Sequence, residues 1–537
     1  MLRINELRLP IDHSEKALSE KIKKIIGTDD GFSFKIVRRS LDARKKPDLY
    51  FSYTIDIFSD KEDYLIKKSK GKLVKVEEKV YSFPFSDLRT EDDKRPVVIG
   101  FGPAGMFCAL YLARAGLRPV VFERGSDVDK RSREVEAFWN GGKLNPSSNV
   151  QFGEGGAGTF SDGKLNTLVK DKLGLGKAVL KDMVSFGADE EILTDSKPHI
   201  GTDLLKKIVK NLRNEIIKLG GEVHFESCVD GFVFTDGVLS AINVNGNLYE
   251  TECAVLAPGH SARDTFKLLF DKGIFMEPKS FAVGIRISHP VSCINKYVYG
   301  KENVPKLGNA SYKLTHTCND GRGVYSFCMC PGGYVVNASS EDGMIAVNGM
   351  SYSGRSSQRS NSAIIVTVDP KDFVSDDDPL SGIEFQRKLE KKAFELGCGS
   401  IVAESYIEFK EGHLNEGHLT ETDEDLGDCV KGSFHHGPVH EVFPGFIKDD
   451  LVEGIEAFGR RIDGFSGREV FVYGVESRTS SPVRITRNEE HVSSIEGLYV
   501  SGEGAGYAGG IMSAAMDGIK TAECVAKNFV SQDAYIF

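Results

Sequence analysis

The first hundred residues alternate between two periodicities. Leu18, Ile22, Ile25 and Ile26 recur at helical spacing and form one apolar stripe, with Asp12 placed to cap the helix, Glu15 at the third helical position and Gly27 to stop it. The pattern then changes to period two: Leu49, Phe51, Tyr53, Ile55 and Ile57 share one face of a strand, and Leu73–Val80 reads as another. A small α+β module with a ferredoxin-like or similar split sheet accounts for this order. The charged stretch Arg89–Arg95 reads as a linker.

From Pro96 the character changes. Val97–Ile99 is a short run of buried-strand type, a helix is expected over Ala104–Ala115, and Leu117–Phe122 supplies a second strand, making a βαβ unit and the start of a parallel sheet. Ala254–Ala257 and Leu498–Val500 are short apolar runs of the same type, each followed at once by a glycine-containing turn. Between them, from about Phe281 to Glu476, strands such as Ala282–Ile287 and Ala363–Val368 are interrupted by a helix at Glu384–Leu396. The expected fold is therefore α/β. A Rossmann-like domain with a parallel sheet (95–277 and 477–537) is split by a mostly antiparallel α+β cap (278–476), and the N-terminal α+β module (1–94) precedes both.

Gly100-x-Gly102-x-x-Gly105 lies directly between the first strand and the helix. The first glycine permits the tight turn, the second lets the backbone approach a pyrophosphate, and the third lets helix and strand pack closely, so phosphates can sit on the helix N-terminus with Pro103 and Ala104 in its first turn. An acidic residue is expected about 20 residues on, at the end of the second strand, to bind a ribose hydroxyl. Glu123 stands there, and the adjacent Arg124 is a candidate for the adenine or a phosphate.

Three further segments point to FAD. Leu498–Val500 leads into Ser501-Gly502-Glu503, followed by Gly509-Gly510-Ile511 and a small-residue helix. This is similar to the segment of two-dinucleotide-fold flavoproteins whose acidic residue holds the ribityl chain and whose helix points at the flavin; Glu503 stands where Asp is usual. Ala257-Pro258-Gly259-His260 resembles the Ala-Thr-Gly turn of the same proteins, with Pro258 in place of Thr. Gly153–Leu165 contains Gly155, Gly156, Ala157, Gly158, Thr159, Asp162 and Lys164. No strand precedes it, so it reads as a loop whose amides face the cofactor rather than as a second Rossmann unit.

Taken with Tyr325–Gly333, Asn348–Ser353 and Glu476–Arg484, these segments resemble the FAD-dependent dehydrogenase-like proteins of bacteria and plastids (the NAD/FAD-utilising dehydrogenase family of the two-dinucleotide-binding-fold flavoproteins). The resemblance extends over nearly the whole chain. It implies FAD and an oxidoreductase, with hydride transfer through the flavin N5, and names no substrate. With no second nicotinamide-binding unit, NAD(P)H as reductant would bind transiently over the ring.

The cap supplies candidates for chemistry. Arg286, Arg355, Arg478 and Arg484 could bind an anionic small-molecule substrate through bidentate contacts. Arg478 and Arg484 rank first because their loop leads back to the strand before Gly502. His260 and His289 could move protons near the flavin. Cys328 and Cys330 share a face of a strand and read as packed thiols first, as a reactive thiol at Cys328 second, and as a zinc site with His316 and Cys318 third. The first of these readings leaves no metal.

Composition narrows the classes. The 68 basic and 78 acidic residues give a net −10, against wholesale nucleic-acid binding, yet residues 1–94 alone carry a net +3. The basic stretch Lys35–Lys46 leaves RNA as a possible partner; a charged hairpin face is the plainer reading. Ten scattered cysteines without C-x-x-C fit a reducing compartment, and no apolar run approaches the ~20 residues of a membrane span. A cytoplasmic protein is expected: an FAD-dependent oxidoreductase, a flavoprotein acting on or bound to RNA, or a non-catalytic or redox-sensing FAD protein.

Overall fold

The computed structural model describes residues 1–29, 31–91, 94–373, 378–415 and 427–530. Two residues of the expected linker Arg89–Arg95 lie outside these ranges.

Strands Leu2–Pro10, Ser33–Lys45, Asp48–Phe58 and Leu73–Lys75 form one antiparallel sheet, with the first and third strands central and the helices Glu15–Ile26 and Glu62–Lys68 between them in sequence. That order is the split βαβ arrangement of ferredoxin-like folds. Two details differ from expectation. Ser14, not Asp12, caps the first helix, its Oγ accepting from the Ala17 amide at 3.2 Å. The last strand ends at Lys75 rather than Val80, because its partner strand begins at Leu2; Val76 N still donates to Met1 O at 3.1 Å, and there the partner chain ends.

The second sheet is parallel. Its strands run in the order Leu498–Val500, Ala254–Leu256, Val97–Ile99, Val120–Phe122 and Glu222–His224. The helix Pro103–Arg114 is apolar all round and buried from Ala104 to Ala113, between the sheet and the helices Thr202–Lys218 and Ile511–Lys527. A three-stranded meander, Val229–Glu250, was not legible beforehand; it joins the outermost strand to Ala254–Leu256.

The cap is a seven-stranded sheet. At its centre Phe281–Pro290 pairs along its whole length with Arg359–Val368 on one side and with Phe471–Glu476 on the other. Helices Ser381–Leu396 and Gly445–Gly459 contribute apolar faces to its core. Where the chain leaves and re-enters the parallel-sheet region, Met276–Pro278 pairs antiparallel with Val483–Ile485. The N-terminal module docks through its edge strand, with Arg39 N donating to Thr194 O at 2.7 Å and Ser196 N to Arg39 O at 2.9 Å. Among the described residues no helix is long and apolar enough to cross a membrane.

Candidate functional site

Three turns meet at the carboxyl ends of the parallel strands, where open α/β sheets place their ligands. A Cβ on Gly100 (φ +94°) would lie 2.3 Å from the Ala257 carbonyl oxygen, and one on Gly504 would lie 2.6 Å from the Gly259 carbonyl oxygen. The turns after Ile99, Leu256 and Val500 are therefore in backbone contact. The glycines of the first turn divide by role. A Cβ on Gly105 would strike the Gly100 carbonyl at 2.0 Å, so that glycine exists for helix–strand packing. A Cβ on Gly102 would meet nothing closer than Gly156 Cα at 3.7 Å. Gly102 caps the helix without a side-chain bond, as Gly510 does for Ile511–Lys527. Both helix starts keep free N–H groups and the positive end of a dipole. Gly509 and Gly510 are exposed with open space around them.

The loop Gly153–Leu165, expected to turn its amides to the cofactor, lies against these helix starts. A Cβ on Gly158 would be 3.1 Å from Ile511 and 3.7 Å from Pro103, and Gly155 N donates to Phe101 O at 2.9 Å. Thr159 is turned inward, its hydroxyl donating to Glu154 O. Sequence reasoning missed what shapes this loop. Arg131, fully buried on the helix Val128–Trp139, donates to the carbonyls of Asn149 (2.8 Å), Val150 (3.0 Å), Gly153 (3.2 Å), Glu154 (2.7 Å) and Gly156 (3.0 Å). One guanidinium gathers five carbonyls, without a carboxylate partner among the described residues, and its burial lowers its pKa to about 10. The Lys-Arg-Ser-Arg run containing it looks like an ordinary solvated face, so sequence gave no signal.

Glu123 sits at the end of its strand, buried, but its carboxylate is largely engaged. It accepts from Phe101 N (2.7 Å), Gly125 N (2.9 Å) and Gly153 N (3.0 Å). Of about four lone-pair sites one remains for a ribose hydroxyl. Arg124 forms a bidentate pair with Asp264 (3.0 and 3.0 Å) and stacks over Phe152, forming one wall of a polar cavity of ≈ 270 Å³ that Ser126, Lys130 and Asn245 also line.

Asp162 and Lys164, expected at the cofactor, instead join the loop to the cap. Asp162 is buried against Lys164 (2.8 Å), Arg355 (2.7 Å) and the Ser351 hydroxyl (2.6 Å), and Lys164 donates to Met329 O. These cations hold the Asp162 carboxyl below its ordinary pKa against its own burial. Arg355 is thus committed to Asp162. Arg286 is likewise committed: fully buried, it pairs with Glu476 (3.0 Å) and donates to Asn361 and to Cys330 Sγ (3.3 Å).

Cys328 and Cys330 do not share a face. The pairing slips between Phe327 and Cys330, and Cys328 takes φ +40° on that bulge, so Cys328 is open to solvent-sized space while Cys330 is buried. Protein nonetheless surrounds Cys328 closely enough to push its thiol up to about 12. At neutral pH it is not a nucleophilic thiolate. Neither cysteine joins His316 and Cys318.

Two of the candidates, Arg478 and His289, are engaged elsewhere. Arg478 is buried and bound by Glu390 (3.0 and 2.8 Å), which also holds Arg263 (2.9 and 2.7 Å). It ties the Glu476–Arg484 loop to the helix Ser381–Leu396 and also donates to the Ser261 and Ser340 hydroxyls, so four of its five donors are spent inside the protein. His289 is a core residue stacked on Phe465 at 4.2 Å, its Nε2 donating to Phe465 O at 2.9 Å, with burial lowering its pKa to about 3.

Arg484 and His260 differ. Among the described residues Arg484 has no carboxylate partner; it lies 5.3 Å over the Tyr507 ring and its Nε is buried without an acceptor. Lys279 is close enough to Arg484 and Glu503 for both to influence its charge, and burial is the first cause of its lowered pKa. Glu503 in turn lies 3.4 Å from His260 Nδ1, while His260 Nε2 is buried with no partner. Arg484, Lys279, Glu503 and His260 form one cluster beside the exposed start of the C-terminal helix. The basic stretch Lys35–Lys46 is partly neutralised within the chain: Arg39 meets Glu191 (3.3 Å), Arg44 meets Asp42 (2.7 Å), and Lys46 donates to Tyr297 O.

Residues 280–479 match the family described as FAD-dependent protein, C-terminal domain-like, and residues 1–58 match a domain of unknown function. The chain is 46% identical over 534 residues to an uncharacterized protein of Clostridium beijerinckii, covering 98% of this chain and 99% of that one. It belongs to this family of FAD-dependent proteins. Among solved structures it is similar to L-proline dehydrogenase from P. horikoshii (12% identity, 81% of this chain and 94% of that one, TM-score 0.34). It is also similar to CtdE in complex with FAD (14% identity, 81% and 85%, TM-score 0.33). Likenesses at this level carry no argument about residues.

The cofactor of this flavoprotein is FAD, and the residues present suit it. Gly102, Gly509 and Gly510 leave space that a side chain would fill, two helix starts offer uncapped amides, and His260 Nε2 is a buried nitrogen awaiting a partner. The first helix start would hold the pyrophosphate, Glu123 the adenosine ribose, and Glu503 with the Gly510 and Ile511 amides the ribityl chain and flavin edge; the Gly509 amide donates to Ser513 Oγ at 3.1 Å.

Proposed function

We propose that this flavoprotein is an oxidoreductase acting on an anionic small molecule, whose negative charge is received by Arg484 and Lys279 and whose proton is moved by His260. FAD when bound supplies the hydride chemistry. The observation that carries the reading is Arg484: a half-buried guanidinium with one N–H orphaned and no carboxylate partner among the described residues, in a protein whose other candidate arginines are all paired. A buried N–H without an acceptor costs about 1–3 kcal/mol, and a ligand carboxylate or phosphate would relieve that cost. Glu503 at Nδ1 would fix the His260 tautomer and leave Nε2 as the proton-transferring atom.

The test is an anaerobic titration of the holoprotein with small carboxylates and phosphates, read by flavin absorbance. A saturable perturbation is expected, weakened at least about tenfold in Arg484→Gln, as loss of a charge-assisted bond implies. Equal affinity in the variant would remove the anion site. Rapid mixing with NADH and NADPH tests the oxidoreductase reading separately: reduction by either supports it, and failure of the flavin to accept electrons from both would favour the non-catalytic alternative.

A further inference from the structure

Away from the flavin cleft, at the edge of the cap sheet, lies a second chemical cluster. The strand Thr315–Thr317 forms a hairpin with Gly323–Cys330, Thr317 pairing with Gly323, and packs against the helix Gly445–Gly459. His316, Cys318 and Glu453 each bring a ligand atom within 4.8 Å of the others. His316 Nε2 is 3.0 Å from Glu453 Oε1, and Cys318 is 4% exposed. Asp450, one turn before Glu453 and on the same helix face, is 6% exposed, and its Oδ2 has no hydrogen-bond partner. That carboxyl is a neighbour of Cys318, whose Sγ is 3.6 Å from the Asp450 carbonyl oxygen.

We propose that His316, Cys318, Asp450 and Glu453 form a structural site for a divalent transition ion of the zinc class, clasping the edge hairpin to the helix Gly445–Gly459. The donor set is one nitrogen, one sulfur and two carboxylates, which suits Zn²⁺ and excludes Mg²⁺ or Ca²⁺ as natural occupants because both take oxygen ligands. The orphaned oxygen is the independent observation. A buried carboxylate oxygen with no donor is costly, and a cation shared with Cys318 and Glu453 would satisfy it. His316, Cys318 and Glu453 are the three ligands already gathered, and the Asp450 carboxylate beside Cys318 would turn in as the fourth; with it the coordination shell closes and the site would hold structure rather than activate water.

The test uses the full-length holoprotein, stripped with a chelator and titrated with Zn²⁺ against a chromophoric competitor, and separately with Co²⁺. Expected are about one equivalent bound per chain and a Co²⁺ spectrum with thiolate charge transfer and tetrahedral bands to the red of the flavin. Cys318→Ser should lose the thiolate transition, Glu453→Gln should weaken binding by about 10–100-fold, and Cys524→Ser should change neither. Far-UV circular dichroism and flavin content identify a variant that has not folded, in which case the wild-type Co²⁺ spectrum decides alone. No stoichiometric binding, a Co²⁺ complex without thiolate charge transfer, or full affinity in folded Glu453→Gln overturns the assignment.

Discussion

Glu123 accepts a hydrogen bond from the Gly153 amide at 3.0 Å, fastening the glycine loop to the end of the strand that should carry the ribose ligand. The same carboxylate takes the Phe101 amide of the dinucleotide turn at 2.7 Å. The turn and its covering loop are thus registered by one side chain before any cofactor is bound. Arg131 completes the arrangement from behind, holding the loop's carbonyls away from the cleft.

Arg131 is the first target. Replacing it by Met strands five buried carbonyls and is expected to cost at least about 3 kcal/mol in stability. It should also lower flavin occupancy, because the loop loses its shape. Arg131→Lys, with three donors at most, should fall between. Chemical denaturation together with the flavin-to-protein absorbance ratio checks both. Wild-type occupancy in Arg131→Met would show that the loop does not need this pin.

The glycines of the turn should separate by variant. Gly105→Ala puts a methyl group 2.0 Å from the Gly100 carbonyl oxygen and should destabilise the fold by about 1–3 kcal/mol, as overpacking does. The loss should persist in the apoprotein, measured by thermal unfolding after the flavin is removed. An unchanged apoprotein Tm would contradict the packing role.

Arg478→Met should act on stability rather than on ligand binding. It removes one of the two cations holding Glu390 in a dry interface, where breaking a pair costs about 3–5 kcal/mol. Burial opposes the charge on Glu390, but Arg263 and Arg478 outweigh it and hold the carboxyl well below the usual carboxylate range. Since the folded pKa is depressed, this contribution is present above the unfolded value and lost as pH falls. A variant with unchanged stability but altered anion affinity would return Arg478 to the substrate site.

The buried histidines make the protein acid-sensitive. Burial lowers His199 to about 4, His289 to about 3 and His491 to about 4. The unfolded chain takes up their protons first, near pH ~6.5, so stability is full above that pH and falls as pH drops towards 4. His289→Gln keeps a donor for Phe465 O and removes one titrating group. Its stability should depend less steeply on pH over that window, by about 1.4 kcal/mol per pH unit. Urea titrations at a series of pH values give the slope; an unchanged slope would mean that His289 does not titrate with folding.

Much of the scaffold was legible in the sequence because it is local. Val97–Ile99 and Leu498–Val500 are found where the apolar runs placed them, and the alternating strand around Tyr53 lies within one residue of its expected limits. What failed depends on partners far along the chain. The strand ending at Lys75 needed knowledge of where Leu2 pairs, and the Cys328–Cys330 face assignment failed on a bulge that alternation cannot show. At the site the glycine turns were readable because their spacing carries their geometry. The partners of Arg478 and Arg131 lie on Glu390 and on five carbonyls, and no spacing encodes those meetings.

The central claim is that the cleft at Gly102 exists for FAD and not for folding. Gly102→Val tests it most directly. The nearest protein atom to a Cβ at this position is 3.7 Å away, so the purified variant should fold with wild-type circular dichroism and apoprotein Tm. It should carry no flavin and bind none on addition of FAD. A folded Gly102→Val that retains stoichiometric FAD would contradict the account.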